Sequence, residues 1–433
     1  MKTNRKTPNT LTTHEGAPAK RINAEQELRR SLMACMLWEN TFYEGGESIA
    51  ERIASLVPEV SPRTVANMAI EAREKMKLRH APLWVVRAMA RSEKHRGYVS
   101  DTLSRIIQRA DELSEFVSLY WLDGKQPLSA QVKKGLAKAF TKFNAYQLAK
   151  YDRTGSVKLR DVLFLCHAKP ENKEQEALWK QLIDGTLPIP NTWENRLSSG
   201  EDKKTVWETM LKESELGALA LLRNLRNMAD VRVDESLIFS ALDSMKTERV
   251  LPFRFISAAR FVPQWEGRLE SAMLKSLNGR ERLSGKTILL VDVSGSMDTA
   301  ISAKSDLQRY DAANGLAILA RELCEQVAIY SFSNSLVRVP DRHGFALRDA
   351  ISTSQPHSGT YLGGAVDAIN KSEAYDRLIV LTDEQSRDAV PNAKGKGYVI
   401  NVAAEKNGIG YGAWTHVDGW SEAVFDYIIE AEK

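Results

Sequence analysis

The stretch Thr287–Met297, TILLVDVSGSM, decides the reading of this 433-residue chain. Thr287 to Val293 is an apolar run of the length of a buried parallel strand. It delivers Asp292, Ser294 and Ser296, spaced by two with Gly295 between the serines, into the loop at the strand's carboxyl end. In an open α/β sheet ligands bind at that edge. A carboxylate and two hydroxyls are hard oxygen donors, which suit Mg²⁺. Two further segments supply matching oxygens. Ser358-Gly359-Thr360 offers a hydroxyl from a second loop, and the apolar run Arg377–Thr382 ends in Asp383.

The three loops together resemble the metal-ion-dependent adhesion site of a von Willebrand factor A domain. The expected metal ligands are Asp292, Ser294, Ser296, Thr360 and Asp383. Asp292 acts partly through water and Asp383 from behind the first ring of oxygens. One coordination position stays open for a carboxylate from an acidic protein ligand. Other chemistries fit less well. Ser284-Gly285-Lys286-Thr287 ends like a phosphate loop, but Gly279 is one residue off the spacing and the segment precedes its strand. An EF-hand would need an acidic residue where Ala303 stands. Ser294 and Ser296 have no evident base, His343, His357 and His416 being candidates by sequence proximity alone. The site therefore reads as a binding site, and the chain as no enzyme. A metal-dependent phosphoesterase would need a second metal site or a general base.

The length implies two or three domains. No apolar run is long enough for a membrane span. The polar N-terminus reads as a mobile tail over residues 1–21. Cys35, Cys166 and Cys324 lie far apart in apolar surroundings, as expected of reduced thiols in a cytoplasmic protein. The net charge of +4 hides an asymmetry: residues 1–285 hold 46 Lys and Arg against 36 Asp and Glu, and residues 286–433 hold 14 against 20. A basic module joined to an acidic one points to a polyanion partner for the first.

From residue 22 to 283 the pattern is helical. Leu28, Leu32, Cys35, Met36 and Trp38 form one stripe, and Val65, Met68, Ala69, Ala72 and Met76 another. Ser61-Pro62 is a helix start, and Ser100, Ser129 and Asp234 read as further caps. Many medium helices with short polar joints predict stacked HEAT-like helix pairs. Residues 284–433 alternate instead. Strands are expected at Thr287–Val293, Val327–Phe332, Leu378–Thr382 and Tyr398–Val402, and helices at about 306–323, 362–372 and 419–431. This is a doubly wound parallel-sheet domain.

Within the helical part, residues 133–169 carry Lys133, Lys134, Lys138, Lys142, Lys150, Arg153, Arg160 and His167 with few acids among them. Phe140, Phe143 and Tyr146 are interleaved, the two phenylalanines reading as core. Lys and Arg neutralise phosphates, and aromatic faces stack unpaired bases.

LRRSLMACMLWENTFYEGGESIAERI (Leu28–Ile53) resembles the start of the TROVE domain of Ro ribonucleoproteins. DVLFLCHAKP (Asp161–Pro170), LLRNLRNM (Leu221–Met228) and LPFRF (Leu251–Phe255) are similar to later TROVE segments in the same order. The resemblance implies a HEAT-like helical ring closed by the A domain. Y-like small noncoding RNA would bind outside, and single-stranded ends of misfolded RNA would enter the central hole. It also implies RNA quality control, in bacteria alongside a 3′ exonuclease, by a cytoplasmic, monomeric scaffold. On this resemblance Lys150 and His167 match family RNA contacts and Arg160 a basic position. A family arginine falls on Thr154, one place from Arg153.

Overall fold

In the computed structural model of the chain, the described residues are 11–33, 45–152, 155–189, 192–198, 200–247, 250, 252–275, 277, 279–301, 307–421 and 423–433. Two compact units emerge. One comprises residues 48–216 and 231–237; the other comprises 1–47, 217–230 and 238–433. The unit holding the sheet thus takes in helices that precede residue 284.

The first unit is built of helix pairs. Helices Pro62–Glu74 and His80–Arg91 are followed by Arg96–Ile106 and Asp111–Tyr120, then by Ala130–Phe140, Ala145–Tyr151 and Leu159–Cys166. Ser61 caps the first, accepting from the Thr64 N–H at 3.3 Å, with Pro62 in the first turn. Ser129 likewise caps Ala130–Phe140. Ser100 does not act as a cap: it lies inside Arg96–Ile106 and is buried. Apolar stripes close the core, among them Val65, Met68 and Ala72, Val99 and Leu103, and Leu136 with Phe140. Phe143 is also buried, as expected, whereas Tyr146 is exposed.

Arginines brace one pair against the next. Arg73 Nε donates to the Ile106 carbonyl at 2.8 Å and its Nη2 pairs with buried Glu112. Arg87 Nε donates to the Leu119 carbonyl at 2.7 Å, and Arg91 Nη2 to that of Tyr120 at 2.8 Å. Each guanidinium satisfies carbonyls at a helix C-terminus that have no intrahelical donor. Close approach also needs small residues: a Cβ on Gly135 would stand 2.9 Å from the Ser100 carbonyl oxygen.

The second unit carries a six-stranded sheet: β1 Leu283–Asp292, β2 Cys324–Phe332, β3 Leu336–Arg338, β4 Arg377–Thr382, β5 Lys396–Asn401 and β6 Thr415–Asp418. The order is β3-β2-β1-β4-β5-β6. All neighbours are parallel except β2 and β3. β1 pairs with β2 through Leu289 opposite Ile329 and with β4 through Leu289 opposite Ile379. Helix Arg309–Leu323 follows β1, and Leu362–Ser372 precedes β4, packing Leu362, Val366 and Ile369 against Ile288, Leu290 and Val380. The chain winds outward from β1 in both directions, so the carboxyl ends of β1 and β4 flank the switch point where such sheets bind ligands.

Strands β3 and β6 and helix Gly344–Ser352 add to the expected elements. The end of the tail expected to be mobile is attached: Thr13 and Ala17 are buried, and the Lys20 N–H reaches the Gly408 carbonyl. Residues 1–10 and Cys35 lie outside the described residues. Cys166 and Cys324 are free and buried, and burial raises the Cys166 thiol to about 11.

Candidate functional site

The three expected metal loops converge. Asp292 ends β1 fully buried, its Oδ1 accepting from the Ser294 N–H at 2.8 Å and its Oδ2 from Thr382 Oγ1 at 2.6 Å. The Ser294 and Ser296 hydroxyls lie 3.3 Å apart. The second loop is tied to the first by the Gly295 N–H, which donates to the Ser358 carbonyl at 2.9 Å. Ser333, just past β2, braces this second loop. It accepts from the Ser358 N–H at 2.9 Å and donates to the Gly359 carbonyl at 3.0 Å, which places Thr360 in the buried interior. The third loop begins at Asp383, also fully buried.

Burial and the neighbouring Asp383 push the Asp292 carboxyl up to about 7. Two buried carboxylates that repel each other, ringed by hydroxyls, form a donor set suited to a hard divalent cation. Among the described residues no group of three or more His, Cys, Asp and Glu could hold a metal. An ion here would depend on Ser294, Ser296 and Thr360 as much as on the acids. That balance disfavours zinc, which takes nitrogen and sulfur ligands.

Two neighbours of this centre had no signal in the sequence. Arg309, at the first turn of its helix and almost fully buried, sets Nη1 3.3 Å from Asp383 Oδ2. Behind the third loop, Arg30 of helix Ala24–Met33 places Nη2 2.8 Å from Glu384 Oε2 and Nε 3.4 Å from Asp418 Oδ1. His416 Nδ1 lies 2.6 Å from Glu384 Oε1. Burial opposes the Glu384 charge, but Arg30 and His416 overcome it and hold the carboxyl below its ordinary value. Glu384 itself has φ +62°, a left-handed conformation that turns the chain sharply after Asp383. The alternation Ser331, Ser333, Ser335, running from the end of β2 into the loop, could have flagged Ser333. His357, at the rim, sits 2.7 Å from Asp298 and 3.0 Å from the Ser352 carbonyl.

The basic candidates sort into two groups. Lys142 sends its ammonium to the Ser104 and Ile107 carbonyls, closing the end of helix Arg96–Ile106. Burial lowers its pKa. Lys138 pairs with Asp101 at 2.7 Å on an open surface. Lys134, Arg160 and His167 are exposed, and Lys133 and Lys150 half-buried. Arg153 lies outside the described residues. His167 ends helix Leu159–Cys166 at φ +53°, beside Phe164, which is 58% exposed. Around Lys150 cations and rings alternate. Arg109 lies 4.7 Å from the Tyr151 ring, Lys150 Nζ 5.9 Å from that ring and 5.8 Å from Tyr146, which is 48% exposed.

The TROVE domain family model matches residues 2–186 and 184–312. The chain belongs to the TROVE family of RNA-binding proteins. Telomerase protein component 1 of Mus musculus and of Rattus norvegicus are 33% and 32% identical to this TROVE chain over 91 residues. The match covers 20% of the chain and only 4% of each relative's length. Among solved structures, the Deinococcus radiodurans RO (RSR) protein aligns over 93% of the chain and 98% of its own, with a TM-score of 0.59 and 18% identity. That likeness is one of fold: helical repeats followed by an A-type α/β domain.

Proposed function

We propose that this TROVE chain is a Ro-like ribonucleoprotein scaffold. It binds Y-like small noncoding RNA on the basic outer face of its helical unit and takes single-stranded ends of misfolded RNA into a central hole of the Ro type. It serves RNA quality control in the cytoplasm as a monomer and a binding protein, passing RNA to a partner such as a 3′ exonuclease. The observation that carries this reading is the strip Arg109–Tyr151–Lys150–Tyr146, where cations and rings alternate out to an exposed tyrosine. Cationic groups hold backbone phosphates and the exposed ring offers a stacking face. Titration of a labelled Y-like RNA against the parent and a Lys150→Ala/His167→Ala double variant tests it. The expected result is a loss of about tenfold or more in affinity with unchanged thermal unfolding. Equal affinity would remove both residues from the interface.

The second reading concerns the A-type domain. Asp292, Ser294, Ser296, Thr360 and Asp383 hold Mg²⁺, and the ion's open position takes a carboxylate from an acidic protein. The convergence of the three loops on two buried carboxylates supports it. Retention of a protein partner that EDTA abolishes and Mg²⁺ restores is the expected result; chelator-insensitive retention would count against it.

A further inference from the structure

Helices Ala218–Asp230 and Phe253–Phe261 pack against each other in the sheet-bearing unit. On the first, Arg223 and Arg226 are exposed and share one face at helical spacing. On the second, Arg254 and Phe261 reach solvent, Phe261 being 42% exposed. The Arg226 guanidinium stands 5.6 Å from the Phe261 ring, and that of Arg254 5.1 Å from the Phe253 ring. Elsewhere, arginines packed into the protein face carboxylates: Arg30 lies against Glu384, Arg73 against Glu112, Arg87 against Asp123 and Arg377 against Glu432. Among the described residues no carboxylate pairs with Arg223, Arg226 or Arg254. The protein crowded around Arg254, and after it the Arg223 charge, lower its pKa. A partly dehydrated guanidinium within reach of a second one is unfavourable for the chain alone, and an anion beside both relieves it.

We propose that Arg223 and Arg254 bind a phosphate group and that the Arg226–Phe261 pair stacks the unpaired base attached to it, so that these two helices form a nucleotide-binding site. This rests on the reading of the chain as an RNA-binding scaffold and adds to it a site apart from the Lys150 strip, which belongs to the first unit. Guanidinium groups take phosphate oxygens in paired hydrogen bonds. A ring and a guanidinium plane each offer a flat face to a base. Bases inside a duplex have both faces covered, so the site selects single strands. An acidic peptide would satisfy the two cations and leave Phe261 unused.

Fluorescence anisotropy of a labelled single-stranded oligouridylate, in 5′-phosphorylated and 5′-hydroxyl forms, tests this on the full chain. Arg223→Gln/Arg254→Gln should weaken binding about tenfold or more and reduce the slope of affinity against salt by about one. Phe261→Leu should weaken it about fivefold or more with the slope unchanged, because stacking neutralises no phosphate. Arg223→Lys/Arg254→Lys, which keeps both charges, should retain the slope. Thermal unfolding of every variant should match the parent, since no carboxylate loses a partner. A loss confined to the 5′-phosphorylated strand puts the strand's end at the site; an equal loss for both forms puts an internal phosphodiester there. If the glutamine and leucine variants bind both strands as the parent does, while Lys150→Ala/His167→Ala weakens Y-like RNA, the site is overturned and the RNA-binding reading stands. If polyglutamate binds the parent through the two arginines and the strands do not, the partner is an acidic protein and the proposal falls. If the parent binds neither the strands nor Y-like RNA, the RNA-binding reading fails, and the site with it.

Discussion

Thr382 Oγ1 donates a 2.6 Å hydrogen bond to Asp292 Oδ2, joining the last residue of β4 to the last residue of β1 in the sheet interior. It holds one carboxylate oxygen and leaves the candidate ion centre dependent on a hydroxyl that no metal-site pattern requires.

Thr382→Val keeps the shape and removes the donor. A buried carboxylate oxygen then loses its partner, a change that costs about 1–3 kcal/mol or more for a charged group. Urea unfolding should show the loss in midpoint with the slope unchanged, because the area exposed on unfolding is the same.

Glycine positions in the two units should respond in opposite ways. Gly135→Val must displace the Ser100 carbonyl or Leu103, since a Cβ would stand 2.9 Å and 3.0 Å from them. A destabilisation of about 1–3 kcal/mol is expected from such overpacking. Gly267, in helix Glu266–Lys275, has nothing within 4 Å of a built Cβ. Gly267→Ala should stabilise by roughly 0.5–1 kcal/mol through helix propensity. Thermal unfolding by circular dichroism compares the two.

Arg73→Met should be among the most damaging single changes in the helical unit. It strands Glu112, which is fully buried, and removes the donor to the Ile106 carbonyl. Breaking such a pair costs about 3–5 kcal/mol. Burial already pushes the Glu112 carboxyl above its ordinary value despite Arg73 and two backbone donors. A raised folded-state value means the folded chain holds a proton that the unfolded chain has released. Stability from this group is therefore fully present below the unfolded value and declines as pH rises through the folded one. Arg73→Met should widen that window and steepen the decline, as read by unfolding from mildly acidic to neutral pH.

Three basic residues of one segment should separate structure from RNA contact. Lys142→Met should lower thermal stability, because its ammonium closes a helix end. Lys134→Ala should leave stability unchanged and reduce the slope of RNA affinity against salt by about one. His167→Asn removes the imidazole from a left-handed position that asparagine tolerates. It should weaken RNA binding with little change in unfolding.

The sheet was readable because β1 and β4 are continuous apolar runs that stop at acids; burial of every residue of β4 is what such a run means. The short strands β3 and β6 carry too few residues for a periodic signal. Ser61 was legible as a cap through Pro62 after it, but the serine alone does not decide: Ser129 caps a helix with no proline after it, and Ser100 lies within one. Asp292, Ser294 and Asp383 were legible as candidates by their place at or just past strand ends. Arg309 and Arg30 did not, because their partners lie 74 and 354 residues away and no local pattern links them. Lys142 looked like its neighbours in sequence; only the carbonyls at a helix end tell its role apart.

The attachment of residues 13–30 to the loop after Asp383 sets an order of assembly. Thr13 donates to the Ser386 carbonyl, the His14 N–H to Gln385, and Arg30 pairs with Glu384. On a ribosome these groups emerge more than three hundred residues before their counterparts. Residues 13–30 stay undocked until residues 384–418 have been made, and the α/β unit closes only then. A fragment starting near residue 284 would carry Glu384 and Asp418 into its interior without their guanidinium, so residues 13–30 are a structural part of the sheet-bearing unit.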